Sequence, residues 1–132
     1  MTPDEIRSAI MSSIAASWAT ATEICYPNQH FVAPQASWIR PTIKMSETVV
    51  GELGDDGIGM RSGLLMISIF GLAGQGTKTL MGYASRLESL FRRRDVSGII
   101  FNEPNTDIPG LDDSGYFHVL VSIDFWTWIG EV

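Results

Sequence analysis

The stretch Gly115-Tyr116-Phe117-His118-Val119-Leu120-Val121-Ser122-Ile123-Asp124-Phe125-Trp126-Thr127-Trp128-Ile129-Gly130 decides the fold. Read alternately, Phe117, Val119, Val121, Ile123, Phe125 and Ile129 fall on one side, broken only by Thr127. Tyr116, His118, Leu120, Ser122, Asp124, Trp126 and Trp128 fall on the other. Successive side chains of a strand point to opposite faces, so this is one long strand with a clearly apolar side. Its β-branched and aromatic content agrees with that assignment. An apolar sheet face must be covered, and two helical segments upstream are available to cover it. The expectation is an α+β fold: a mixed, mostly antiparallel sheet with a long β-hairpin and two α-helices packed on one face.

Working outward, Trp38 to Val50 reads as extended, with Ile39, Ile43 and Met45 interleaved with Arg40, Thr42 and Lys44. Pro41 cannot donate a ladder hydrogen bond, which places it at an edge or a bulge. Gly51 to Gly57 is a turn by composition, and from Gly59 the chain alternates again through Leu65, Ile67 and Ile69. These two strands form one long hairpin with an acidic, glycine-rich tip. A short strand is read around Ile24, running to Phe31 and broken by Pro27-Asn28, and another at Gly98 to Phe101. Asn102 to Ser114, rich in Asp, Pro and Gly, reads as a loop.

Two segments carry a helical period. Ile6, Ile10, Ile14 and Trp18 recur at four-residue intervals, predicting a helix from about Pro3 to Ala19. Thr2 and Glu5 have capping-box spacing, and Pro3 stands where a first helical residue tolerates proline. Leu80, Ala84, Leu87 and Phe91 make the buried stripe of a second helix, with Thr77 as N-cap. Arg92, Arg93 and Arg94 close it, where cations oppose the negative end of the helix dipole.

Composition bounds the function. The 132 residues suit a single domain spanning 1–132, with 45% hydrophobic and 18% charged residues. Net charge is −6 without a long basic stretch, so nucleic acid is not the obvious main partner. Cys25 is the only cysteine, which excludes an internal disulfide and fits a reducing compartment. Met1-Thr2-Pro3-Asp4-Glu5 is acidic where a secretory signal is basic, and the longest apolar run, Leu64 to Gly74, is too short to span a bilayer. No membrane partner is expected.

Each candidate chemistry has a plainer reading. Gly71, Gly74 and Gly76 before Thr77-Lys78-Thr79 suggest a phosphate loop, but the pattern lacks the required Gly-Lys pair and spacing. Cys25, His30 and His118 offer a thiol and two imidazoles with no third orienting group and no zinc-ligand spacing. Asp55-Asp56 and Asp112-Asp113 lack the alternating ligands of a calcium loop. No catalytic residue, metal or cofactor is expected. Arg92, Arg93 and Arg94 form a candidate charged contact, toward DNA or a neighbour's acidic loop. Trp126 and Trp128 lie on the side of the last strand opposite its apolar stripe, and Trp38 begins the hairpin. They are either interface anchors or are packed under the hairpin within the chain.

Several motifs together resemble the tail terminator (tail completion) proteins of long-tailed, non-contractile bacteriophages. They are the N-terminal helix, Tyr26-Pro27-Asn28-Gln29-His30-Phe31, Trp38-Ile39-Arg40-Pro41, the run Arg61 to Phe70, Gly74-Gln75-Gly76 leading into a helix, and the strand Val119 to Trp126. One departure is Gly71-Leu72, where many of the family have a proline. The resemblance implies a structural virion protein without enzymatic activity, in a homo-oligomeric, hexameric ring at the head-proximal end of the tail. Such a ring stops tail tube protein polymerisation and presents a surface to a head-completion (neck) protein, while DNA passes through the lumen without specific binding. A head-closure or neck adaptor ring is the nearest alternative, and a small enzyme or ligand-binding domain using the cleft near Cys25 and His30 is an alternative of a different class. A closed ring needs two different patches per subunit. The candidates are the hairpin from Lys44 to Met60, including Met45, Val49 and Val50, and the outward face of the last strand, with Trp38, Trp126 and Trp128.

Overall fold

A computed structural model describes residues 2–18, 21–34, 36–50, 59–74, 76–111 and 115–130. The elements run α1 (Pro3–Trp18), β1 (Glu23–Ile24), β2 (Trp38–Val50), β3 (Gly59–Leu72), α2 (Lys78–Phe91), β4 (Asp95–Val96), β5 (Ile99–Phe101), β6 (Asn105–Leu111) and β7 (Tyr116–Gly130). The seven strands among the described residues make one sheet in the order β1-β2-β3-β7-β5-β4, with β6 also paired to β7. Among the described residues only the β1–β2 pairing is parallel. The expected α+β architecture is the observed one, and the sheet is curled: α1 touches both β2 and β4, which are far apart in the strand order.

The long hairpin and the last strand form the centre of the sheet. β3 pairs with β2 on one side and along the length of β7 on the other, from Gly59↔Gly130 to Leu72↔Tyr116. Register therefore sets one common face: Ile39 of β2, Leu65, Ile67 and Ile69 of β3, and Val119, Val121, Ile123 and Phe125 of β7 are all buried in one core. Ile6, Ile10, Ile14 and Trp18 of α1 and Leu80, Ala84, Leu87 and Phe91 of α2 fill the other side of that core. Each fully buried Ile or Leu contributes about 1.5–3 kcal/mol relative to exposure.

Trp18 joins the two helices. Its indole Nε1 donates to Thr22 Oγ1 at 2.8 Å, Tyr83 meets it edge-on at 5.4 Å, and the Arg86 guanidinium lies 4.8 Å from the ring. Arg86 also donates to the Ser17 carbonyl at 2.9 Å, closing the end of α1. At the start of α1 the capping box forms as expected. Glu5 N–H donates to Thr2 Oγ1 at 3.2 Å, and Thr2 N–H donates to Glu5 Oε1 at 3.1 Å.

The structure departs from the expectations at three places. The segment read as a loop from Asn102 contains β6, which pairs with β7 from Asn105↔Ser122 to Leu111↔Phe117. The strand expected around Ile24 shortens to Glu23–Ile24, because the chain turns at Asn28 with φ 55°. Thr77 occupies the N-cap position of α2 but makes no side-chain capping bond. Thr127, the polar break in the apolar stripe, is buried, and its hydroxyl donates to the Gly98 carbonyl at 2.9 Å. Gly98 follows Ser97 in the β4–β5 turn, both at positive φ (53° and 90°), as a two-residue hairpin turn requires.

Candidate functional site, the uncovered face of the sheet

Among the described residues no helix covers the opposite face of the sheet. Register assigns to that face the even-numbered residues of β2 up to Ser46, of β3 and of β7. Its two ends differ in kind. At one end the strand partners Trp38, Phe70 and His118 form a row. Trp38 stacks on Phe70 with centroids 4.2 Å apart and planes at 17°, and His118 stacks on Phe70 at 4.6 Å and 12°. Phe31, carried by the segment before β2, lies 5.0 Å from Trp38, and Tyr116 meets Trp38 edge-on at 5.8 Å. Arg40 places its guanidinium 5.1 Å from the Phe70 ring. Trp38 is only 8% exposed, so this candidate anchor is occupied inside its own chain. Its indole Nε1 is buried without a hydrogen-bond partner among the described residues.

At the other end Trp126 is half-buried and Trp128 is exposed. Trp126 and Trp128 meet edge-to-face at 5.5 Å, and Trp128 is 50% exposed. Their strand partners on β3 are Ser62 and Met60. An open groove beside them is lined by Ser46, Met60, Ser62, Asn102, Asp124 and Trp126. Lys44 is exposed on this face, in register with Leu64 and, one strand further, Asp124. Met45 points the other way and packs against the helix-covered core. The β2–β3 register slips between Met45 and Thr48, a bulge after which Val49 pairs with Met60 and Val50 with Gly59. The side chains of Val49 and Val50, and the hairpin tip at 51–58, lie outside the described residues. Lys44, Trp126 and Trp128 thus share a face, while Trp38 and Met45 do not join them at an exposed patch.

The arginine run is tied down locally. α2 ends at Phe91, and Arg92 caps it with its N–H donating to the Glu88 carbonyl. The Arg92 guanidinium lies 2.9 Å from Glu88 Oε1 and 3.4 Å from Glu103 Oε1, and Arg93 lies 3.6 Å from Glu103 Oε2. Arg93 takes φ 47° as the chain reverses into β4. The acids beside the run are therefore the chain's own, Glu88 and Glu103 for Arg92 and Glu103 for Arg93, and Arg94 is exposed beside them.

Two of the residues weighed for chemistry lie at different strands. His118 belongs to the aromatic row on β7, whereas Cys25 follows β1, with β2 and β3 between them. The Cys25 N–H donates to the Ile39 carbonyl at 2.8 Å, an extension of the β1–β2 pairing. No group of three His, Cys, Asp or Glu side chains placed to hold a metal ion occurs among the described residues. Gly74 and Gly76 lie at φ 81° and 78° with open space around them, so backbone conformation accounts for them before α2. Asp55-Asp56 and Asp112-Asp113 lie outside the described residues. No helix among the described residues is long and apolar enough to cross a membrane.

What the sequence reading missed on this face is its charge layout: Arg40 on the β2 side, Asp107 of β6 and Asp124 of β7 on the other. Alternation assigned Arg40 and Asp124 to a face, but only the strand order places them on opposite sides of it.

Two helices and a curled, mostly antiparallel sheet define a small α+β fold with Trp128, Ile108 and Leu111 exposed. Residues 5–125 match the family model described as phage tail terminator protein, and the chain belongs to that family, a structural protein of the phage tail. One solved structure superposes with a TM-score of 0.72 at 16% identity, covering 96% of this chain and 96% of that chain, a likeness of fold. No curated protein matches the chain.

Proposed function

We propose that this protein is a subunit of a ring, expected to be hexameric, that caps the head-proximal end of a tail tube. The ring stops polymerisation of the tube protein and offers the surface to which a head-completion protein docks. DNA passes through its lumen without specific binding, and the subunit has no catalytic role. The observation that carries this reading is the match to the tail terminator family over residues 5–125. The uncovered sheet face, with Trp128 exposed at one end, is a suitable contact surface, since aromatic side chains are frequent interface anchors. The acidic balance of −6 suits a channel to which DNA must not stick.

Electron microscopy of a phage lysate lacking this gene product tests the proposal. Overlong, headless tubes are expected. Tails of normal length beside DNA-filled, tailless heads would assign the chain instead to a neck adaptor ring, and complete normal particles would remove both roles.

A further inference from the structure

The uncovered face is electrically lopsided. Its β2 side carries Arg40 and Lys44 with no acidic residue from Trp38 to Ser46, and one carboxylate at its outer edge, Glu23 of β1, in register with Trp38. Its opposite side carries Asp107 of β6 and Asp124 of β7, and neither Asn105–Leu111 nor Tyr116–Trp128 contains a Lys or Arg. Between them lie Leu64, Met66 and Leu120, all half-buried.

The two edges also differ in backbone. Ile39 gives its carbonyl to Cys25 N–H at β1, so in β2 the odd-numbered residues direct their N–H and C=O groups away from β3. Pro41 therefore aims its donor-free nitrogen at the edge just where β1 ends, and Ile43 and Met45 present backbone groups beyond it. On β6, Pro109 and a register slip between Asp107 and Gly110 blunt the edge, and the Ile108 N–H is taken by the Asp107 carboxylate at 2.9 Å. That side instead exposes apolar side chains, Ile108 at 49% and Leu111 at 65%.

We infer that the β2 edge of one subunit docks head-to-tail on the β6 side of a second copy, setting Arg40 and Lys44 against the neighbour's Asp107. The inference rests on the ring reading and names the two patches that such a ring needs. A symmetric β2–β2 contact would oppose arginine and lysine to their own copies, and a β6–β6 contact would oppose Asp107 to itself, so like-charge repulsion disfavours both. The β2–β6 pairing is heterologous, as ring closure demands. Blunting of β6 makes this a side-chain contact rather than a continuous ladder.

The test uses phage tails carrying the full chain with Cys25→Ser, Lys44→Cys and Asp107→Cys, treated with a short bis-maleimide. A ladder of cross-linked species extending beyond the dimer is expected, with no dimer from either single cysteine variant. Normal tails without a ladder, or a ladder that stops at the dimer, overturn the head-to-tail contact while leaving the ring reading intact. Absence of the wild-type chain from finished tails overturns the ring reading itself. Should the cysteine pair prevent tail completion, charge exchange decides. Lys44→Asp and Asp107→Lys should each weaken self-association on the order of tenfold, and the combined chain should recover it. Failure of that recovery overturns the pairing.

Discussion

Glu103 lies 3.4 Å from Arg92 and 3.6 Å from Arg93, so a single carboxylate from the connection after β5 holds two arginines at the end of α2. These are exposed pairs, worth about 0.2–1 kcal/mol each in water of low salt. Glu103→Gln should lower stability by less than about 1 kcal/mol by denaturant titration, and the difference should shrink at high salt. A larger, salt-insensitive loss would mean that Glu103 supports the fold in another way.

Gly63 is held to glycine by its neighbours. A Cβ there would come within 2.6 Å of Phe125 Cζ and 2.7 Å of the Lys44 carbonyl oxygen. At Gly71 the atoms nearest to a Cβ are all of the Leu80 side chain, from 2.8 Å. Backbone cannot yield as a leucine tip can. Gly63→Ala should therefore cost about 1–3 kcal/mol, the range for overpacking, and Gly71→Ala clearly less; thermal melts of both variants decide the order.

The buried hydroxyl of Thr127 satisfies the Gly98 carbonyl across the β5–β7 pairing. Thr127→Val keeps the shape and removes the donor, leaving the carbonyl without that bond. A loss of about 1–3 kcal/mol is expected, read by chemical denaturation, and Thr127→Ser should recover most of it.

The tryptophans should separate stability from assembly. Trp38, packed among Phe31, Phe70 and Tyr116, should cost about 3–5 kcal/mol when changed to Ala. Trp128→Ala should leave the melting temperature of the free chain nearly unchanged, since half of the side chain is exposed, yet impair tail completion in a complementation assay. Full complementation by Trp128→Ala would take the residue out of the proposed contact surface.

Glu5 is shifted below the usual carboxylate range, first because its carboxylate accepts the Thr2 backbone N–H and then because of the Thr2 hydroxyl. A depressed folded-state pKa stabilises above the unfolded value and loses that contribution as pH falls through the folded one. The start of α1 should therefore fray on acidification below the ordinary glutamate range, as seen in amide exchange of its first turn. Glu5→Gln should flatten that response, and Thr2→Ala should cost about 1 kcal/mol at neutral pH.

Much of this architecture is legible in the residues because it is written in local periods. A period of two in Phe117 to Phe125 and a period near four in Ile6 to Trp18 are set by backbone geometry, so they specify strand, helix and buried side before any partner is known. The same alternation put Trp126 and Trp128 on the face away from the core. β6 escaped because Asn105-Thr106-Asp107-Ile108-Pro109-Gly110-Leu111 looks like a turn: the residues that keep an exposed edge from pairing are the residues that mark loops. Other outcomes depended on partners distant in the chain. Trp38 and Trp128 are alike in sequence terms, and only Phe31, Phe70 and Tyr116 closing around the first made it core. Likewise the arginine run acquired its acid, and the uncovered face its opposed charges, through strand order. The sequence by itself determined the two helices, the long hairpin and the last strand and the sides they bury, because those follow from neighbours a few residues away. Tertiary structure decided which polar and aromatic groups remain for a partner, because that depends on what lies across the sheet.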